Sequence, residues 1–122
     1  MRRAGAVAGG LLLAIVLFSG AGAAEDQWKY VGANQKGERL FYDASSVMYM
    51  SSDLIQVWTK EEAGLGTMKK HKEINCSYKI IRDLYVIYEG KQMPPVLSHV
   101  PSDWQAMEQD PVTKELYKIL CR

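Results

Sequence analysis

Cys76 and Cys121 are the two cysteines of the 122-residue chain, and thiol chemistry is the first chemistry its sequence offers. Two sulfurs can ligate a metal or close a disulfide. Neither belongs to a C-x-x-C pair, and the two histidines, His71 and His99, give no H-x-x-x-H spacing, so a metal site has no framework. The expectation is one structural disulfide, Cys76 to Cys121. It would close a loop of about 46 residues, a constraint worth roughly 4 kcal/mol on the chain-entropy model.

The densest positive run is Lys69-Lys70-His71-Lys72. Such a patch would anchor an acidic ligand, a sulfated glycan or an acidic protein surface, through Lys69, Lys70 and Lys72. The plainer alternative is a solvated strand entry whose lysines discourage edge pairing. His71 and His99 stand in no nucleophile or haem motif, and the serines form no G-x-S-x-G or S-x-x-K. The aspartates sit mainly at turns and caps, and there is no Gly-rich phosphate loop. No catalytic residue, no metal and no cofactor is therefore expected, and the chain does not read as an enzyme. Trp28, Trp58 and Trp104 with seven tyrosines are a large aromatic allotment. They could form a binding face; the reading adopted is core, with polar tips at the rim.

These residues must be positioned by short elements. Residues 28–31 and 39–43 read as strands of a hairpin around the polar turn Asn34-Gln35-Lys36-Gly37. Asp43 then caps one helical turn, residues 47–50 form a third strand, and 54–60 (LIQVWTK) a fourth. Gly64 and Gly66 suggest a loop over 61–70. Ile74, Cys76, Tyr78 and Ile80 alternate with polar residues, which predicts a half-buried strand carrying Cys76 on its apolar face. A bend or bulge follows at 80–83, and 84–88 (LYVIY) reads as buried on both faces. Pro94-Pro95 ends the sheet and 96–103 reads as irregular. Asp110-Pro111 is a helix start, with Val112, Leu116, Ile119 and Leu120 on one apolar stripe and Lys118 in the last turn. Strands first and a helix last give an α+β fold: a small antiparallel sheet with a C-terminal helix packed on one face, held by one disulfide.

The first 24 residues have the order of a cleavable signal peptide. Arg2 and Arg3 are followed by the apolar run 11–18 (LLLAIVLF) and the small residues 19–24 (SGAGAA). Cleavage would leave a single domain over 25–122, with 13 basic against 14 acidic residues and a formal charge of −1. A near-neutral domain has no global field to draw in nucleic acid or an anionic membrane. No membrane span would remain after cleavage. The leader holds no cysteine, so the protein is expected to be extracytoplasmic, periplasmic or secreted, and not a lipoprotein.

This order of residues resembles the surface-adhesin protein E family of bacterial exported domains. The likeness rests on the leader, Trp28, Phe41-Tyr42-Asp43, Val57-Trp58, Glu73-Ile74-Asn75-Cys76, Trp104, and a Pro-started helix ending in Cys121. It spans nearly all of 25–122. The resemblance implies a small sheet with the helix tied by the two cysteines, and an adhesin-like role on a protein or glycan ligand. The family's adhesin is lipid-anchored, and this chain lacks the acceptor cysteine. The first expectation is thus an exported non-catalytic binding module. The second is a structural or accessory envelope protein with a bacterial partner, with a homodimer formed through a sheet edge as one form of it.

Overall fold

Residues 26–90, 96–98 and 101–121 are described by the computed structural model. The leader, Pro94-Pro95 and His99 lie outside them. The strands are β1 (Trp28–Ala33), β2 (Arg39–Asp43), β3 (Met48–Tyr49), β4 (Leu54–Ala63), β5 (Gly66–Asn75), β6 (Ile80–Gly90), β7 (Val96–Ser98) and β8 (Gln105–Ala106); the helix is α1 (Pro111–Leu120). All pairings are antiparallel. The sheet runs β1-β2-β4-β5-β6-β7, with β3 on β4 and β8 on β6, and curves into a half-barrel closed at one side by α1.

The β1–β2 hairpin turns where expected. Gly37 takes φ 82°, and the Asn34 side chain accepts from the backbone N–H of Lys36 and Glu38. Asp43 caps the short 3₁₀ turn Ala44–Ser46 by accepting from the Ser45 N–H. In β4 the alternation is strict: Ile55, Val57 and Thr59 are buried, while Gln56, Trp58 and Lys60 are half-exposed on the other face.

The inward row builds the core. Ile55, Val57, Ile74 and Ile81 pack with Met107, Leu116 and Leu120. Asp110 caps α1 from the predicted position, accepting from the Val112 N–H, and Pro111 fills the first helical turn. Of the expected stripe, Leu116 and Leu120 are buried, and Val112 packs 3.6 Å from where a Cβ on Gly32 of β1 would lie.

Five expectations change. Residues 61–70 are not a loop: β4 and β5 pair from Leu54–Asn75 out to Ala63–Gly66, leaving a two-residue turn. Gly66 is in the strand because a Cβ there would come within 2.7 Å of the Glu89 carbonyl on β6; its missing side chain serves close approach. The alternating run 74–80 is not one strand. It is cut by a turn at 76–79, in which Asn75 Oδ1 accepts from the Tyr78 N–H and Lys79 adopts φ 56°. Cys76 therefore lies in the β5–β6 turn. A bulge exists, but just beyond the expected 80–83, with Leu84 as the extra residue opposite His71 and Lys72. Residues 84–88 are not buried on both faces, for Tyr85 is 42% exposed. Part of 96–103 is strand: β7 pairs with Val86, Ile87 and Tyr88.

The disulfide joins Cys76 to Cys121, with Cα atoms 5.6 Å apart. It clips the end of α1 to the β5–β6 turn, and beside it the Tyr117 hydroxyl donates to the Cys76 carbonyl at 3.2 Å. Disulfides persist in oxidising compartments, which sets the folded protein outside the cytoplasm. Among the described residues no helix is long and apolar enough to cross a membrane.

Candidate functional site: the open face of the sheet

Because side chains alternate along a strand, directly opposed residues in a register row share a face. The rows on the face away from α1 carry Trp28, Tyr30, Phe41, Trp58 and Tyr85 and several of the charged residues. Trp58, His71 and Tyr85 are one row across β4, β5 and β6. Their rings stack, with Trp58–His71 centroids 4.8 Å apart and His71–Tyr85 5.9 Å, all within 20° of parallel. Burial pushes the His71 pKa down, and the nearby Glu73 carboxylate opposes this without reversing it. His71 is accordingly neutral at pH 7, and its ring acts as a spacer in an aromatic ladder.

The next row toward the β5–β6 turn is Gln56, Glu73 and Arg82. Glu73 is buried. Its Oε2 accepts from Gln56 Nε2 at 3.0 Å, and its Oε1 accepts from Arg82 Nε and Nη2 at 3.0 and 2.8 Å. Burial alone would raise its pKa, but the hydrogen bonds from Gln56 and Arg82 and the Arg82 charge together hold it below the usual range. The Arg82 guanidinium also lies over the Trp104 ring at 4.6 Å, tying the segment before α1 to this face.

The opposite flank carries Tyr30, Phe41, Lys60, Lys69 and Ile87 in one row. Tyr30 and Phe41 meet edge-on at 5.6 Å. Lys60 places its ammonium 4.7 Å from the Trp28 ring centre and 5.0 Å from that of Phe41, and pairs with Glu62 at 3.3 Å. Arg39 holds the other Glu62 oxygen at 2.6 Å. Between these rows lies a cleft of about 190 Å³ lined by Asp26, Trp28, Asp43, Trp58, Lys69 and Ile87.

The three candidate lysines do not form one patch, because the strand period splits them. Lys69 faces the open side and pairs with Glu89 at 3.6 Å. Lys70 and Lys72 face α1, where Lys72 binds Asp83 at 2.8 Å and Lys70 binds Glu61 at 3.1 Å, with Asp83 at 4.0 Å. Lys72 and Glu61 also border a small cavity of about 80 Å³ under the first turn of α1, beside Asp110 and Leu116. An anionic ligand would have to displace these carboxylates. Trp28, Trp58 and Trp104 are not core: the first two are half-exposed on the open face and Trp104 is 37% exposed. Helix α1 covers one face only, and the core there is filled by aliphatic residues.

The aromatic ladder was not read from the sequence, although Trp58, His71 and Tyr85 were each visible in it. Its signal lay in pairing register, which a single sequence does not carry. Among the described residues no group of three or more His, Cys, Asp or Glu side chains is placed to hold a metal ion. Comparison with models of protein families, with curated proteins and with solved structures gives no match to this chain.

Proposed function

We propose that the protein is an exported, non-catalytic binding module, adhesin-like in role, that engages a protein or glycan ligand through the open face of its sheet. The observation that carries this reading is the segregation of side chains. One face is closed by α1 and the disulfide, while the other keeps Trp28, Tyr30, Phe41, Trp58 and Tyr85 within reach of solvent. Aromatic anchors of this kind dominate binding surfaces, because large rigid rings give much contact area for little lost entropy. The protein exported with its disulfide formed is expected to bind saturably to a surface of matrix proteins, glycans or envelope extract. Trp58→Ala together with Tyr85→Ala should abolish that binding while the urea midpoint moves little. Saturable binding untouched by the double substitution would place the ligand elsewhere, and no saturable binding to any of these would end the reading.

A second reading, an accessory envelope protein with a bacterial partner, draws on a different region. Met48, Tyr49 and Met50, in and just after β3, and Tyr78, in the β5–β6 turn, are exposed at one end of the sheet, where the Cys76 N–H donates to the Asp53 carbonyl. Loss of crosslinking to envelope proteins on Tyr49→Ser with Tyr78→Ser would favour it over the first.

A further inference from the structure

The strand register carries the aromatic ladder past Trp58. Trp28 stands opposite Asp43, and continuing the β2–β4 pairing by one residue beyond Tyr42 and Thr59 sets Asp43 beside Trp58. One row therefore runs Trp28, Asp43, Trp58, His71, Tyr85 across β1, β2, β4, β5 and β6. Every position in it but one carries a ring. At the exception the side chain is short and held down by local work. Asp43 Oδ1 takes the Gln27 N–H, the Ser45 N–H and the Ser45 hydroxyl at 2.9, 2.9 and 2.6 Å. The cleft of about 190 Å³ opens beside this short residue, with Trp28 and Trp58 among its walls.

The spacing fits one ring. Adjacent strands lie about 4.8 Å apart, so backbones two strands apart are separated by roughly 10 Å. A flat ring midway between β1 and β4 would stand about as far from each as His71 stands from Trp58, whose centroids are 4.8 Å apart. The cleft is smaller than drug-sized pockets and suits a single ring. Lys60, whose ammonium lies over Trp28 and Phe41, is not a wall of the cleft, and Trp28 still presents surface to it.

The polar groups around the slot select the kind of ring. Asp43 is only 5% exposed. Burial alone would raise its pKa, but the hydrogen bonds from Ser45 and Gln27 hold it below the usual range, so it is ionised at pH 7. Those bonds all fall on Oδ1. Among the described residues no N–H, alcohol or ammonium donates to Oδ2, and the other group acting on this carboxyl is the exposed Asp26. A cationic ligand would meet Lys69 in the wall and the Lys60 ammonium beside it. An anion would meet two carboxyls. A hydrocarbon ring would shut the Asp43 carboxylate off from water and give it no donor. A sugar ring satisfies every wall: its C–H faces lie against indole, and its hydroxyls donate to the carboxylates and accept from Lys69.

We infer that the slot between Trp28 and Trp58 binds one uncharged pyranose ring, stacked between the indoles and hydrogen-bonded to Asp43, Asp26 and Lys69. The inference rests on the binding-module reading and narrows it: the ligand is a glycan that offers a neutral sugar, which takes the place of the acidic ligand suggested by the lysine run.

The test uses the disulfide-bonded exported protein and the methyl glycosides of glucose, galactose, mannose and N-acetylglucosamine. N-acetyl-tyrosinamide and N-acetyl-tryptophanamide stand for the aromatic side chains that a protein partner would offer instead. At least one glycoside is expected to shift the indole N–H resonances of Trp28 and Trp58 saturably and to bind at least tenfold tighter than either amide. Trp28→Ala removes one wall and should weaken that binding at least tenfold; if the variant does not fold, Asp26→Asn, a change at an exposed residue, should weaken it severalfold. No saturable shift with any glycoside, an amide bound within tenfold of the best glycoside, or unchanged affinity in the folded variant overturns the inference. Macromolecular binding that excess glycoside does not displace overturns it while leaving the binding module standing. Glycoside binding at the slot with no macromolecular ligand does the reverse.

Discussion

The two faces of β4 and β5 are built from the same ten-residue strands, yet they hold opposite kinds of side chain. Toward α1 lie Ile55, Val57 and Ile74, sealed by Leu116 and Leu120 and clipped by the disulfide. Even the charges on that side, Lys70 and Lys72, are paired with Glu61 and Asp83. Away from α1 lie Trp58, Lys60, His71 and Lys69, half-exposed and arranged in rows rather than interlocked in a core. One residue of shift along either strand would exchange these sets. The difference teaches that stability and recognition are divided by strand parity, so each can be damaged without the other.

The largest effects should fall on the helix side. Cys76→Ala is expected to lower unfolding free energy by about 4 kcal/mol, read by urea titration, because it releases the constraint on the denatured chain. Leu116→Ala empties a fully buried position and should cost about 3 kcal/mol in the same assay. A loss under 1 kcal/mol in either would mean that this face does not carry the fold. Glu73→Ala comes next, at about 2 kcal/mol, since it strips Gln56 and Arg82 of their shared acceptor. Because Arg82 also carries Trp104, the variant should raise hydrogen exchange in the β8 segment, which sharpens the comparison by showing where the open face does support the fold.

The effect of pH is smaller and specific to the open face. The pKa of His71 is lowered by burial, so the native state binds its proton less readily than the unfolded chain. Stability should therefore be lost as pH falls from about 6.5, the unfolded value, to the lower native one. The carboxyls of Glu73 and Asp43 are also lowered; they contribute stability above their unfolded values of about 4, and it is lost as pH falls through their native values. His71→Phe keeps the stack and should flatten the slope between pH 7 and 5 in thermal melts, leaving the acid limb below pH 4 in place. An unchanged upper slope would remove His71 as its source. Smallest of all, Lys60→Met should change stability by less than about 1 kcal/mol, since a half-exposed ion pair and its two cation–π contacts are modest and the methionine keeps the packing of the stem.

Much of the helix-side architecture is legible in the sequence because it rests on local rules. The Asp110-Pro111 start, the spacing of Leu116 and Leu120, and the alternation through Ile55 and Val57 each act through neighbours in the chain, and the two cysteines, though 45 residues apart, have no other cysteine to pair with. The open face is harder to read, because its rows join residues from β1, β2, β4, β5 and β6. The run Ile74-Cys76-Tyr78-Ile80 misleads for a physical reason: the turn that interrupts it is made by the Asn75 side chain and a left-handed Lys79, not by glycine or proline. The lysine run misleads differently. Its four residues are adjacent in sequence, but a strand sends alternate ones to opposite sides, so its charge is never concentrated.

The division of labour between the faces is tested most directly by site-specific photocrosslinking in the cell that exports the protein. A photoreactive residue at Tyr30, exposed on the open face, is compared with one at Lys114, exposed on the outer side of α1. The account predicts that Tyr30 captures a defined ligand and Lys114 does not. Capture from Lys114 alone, or from neither position, would contradict it.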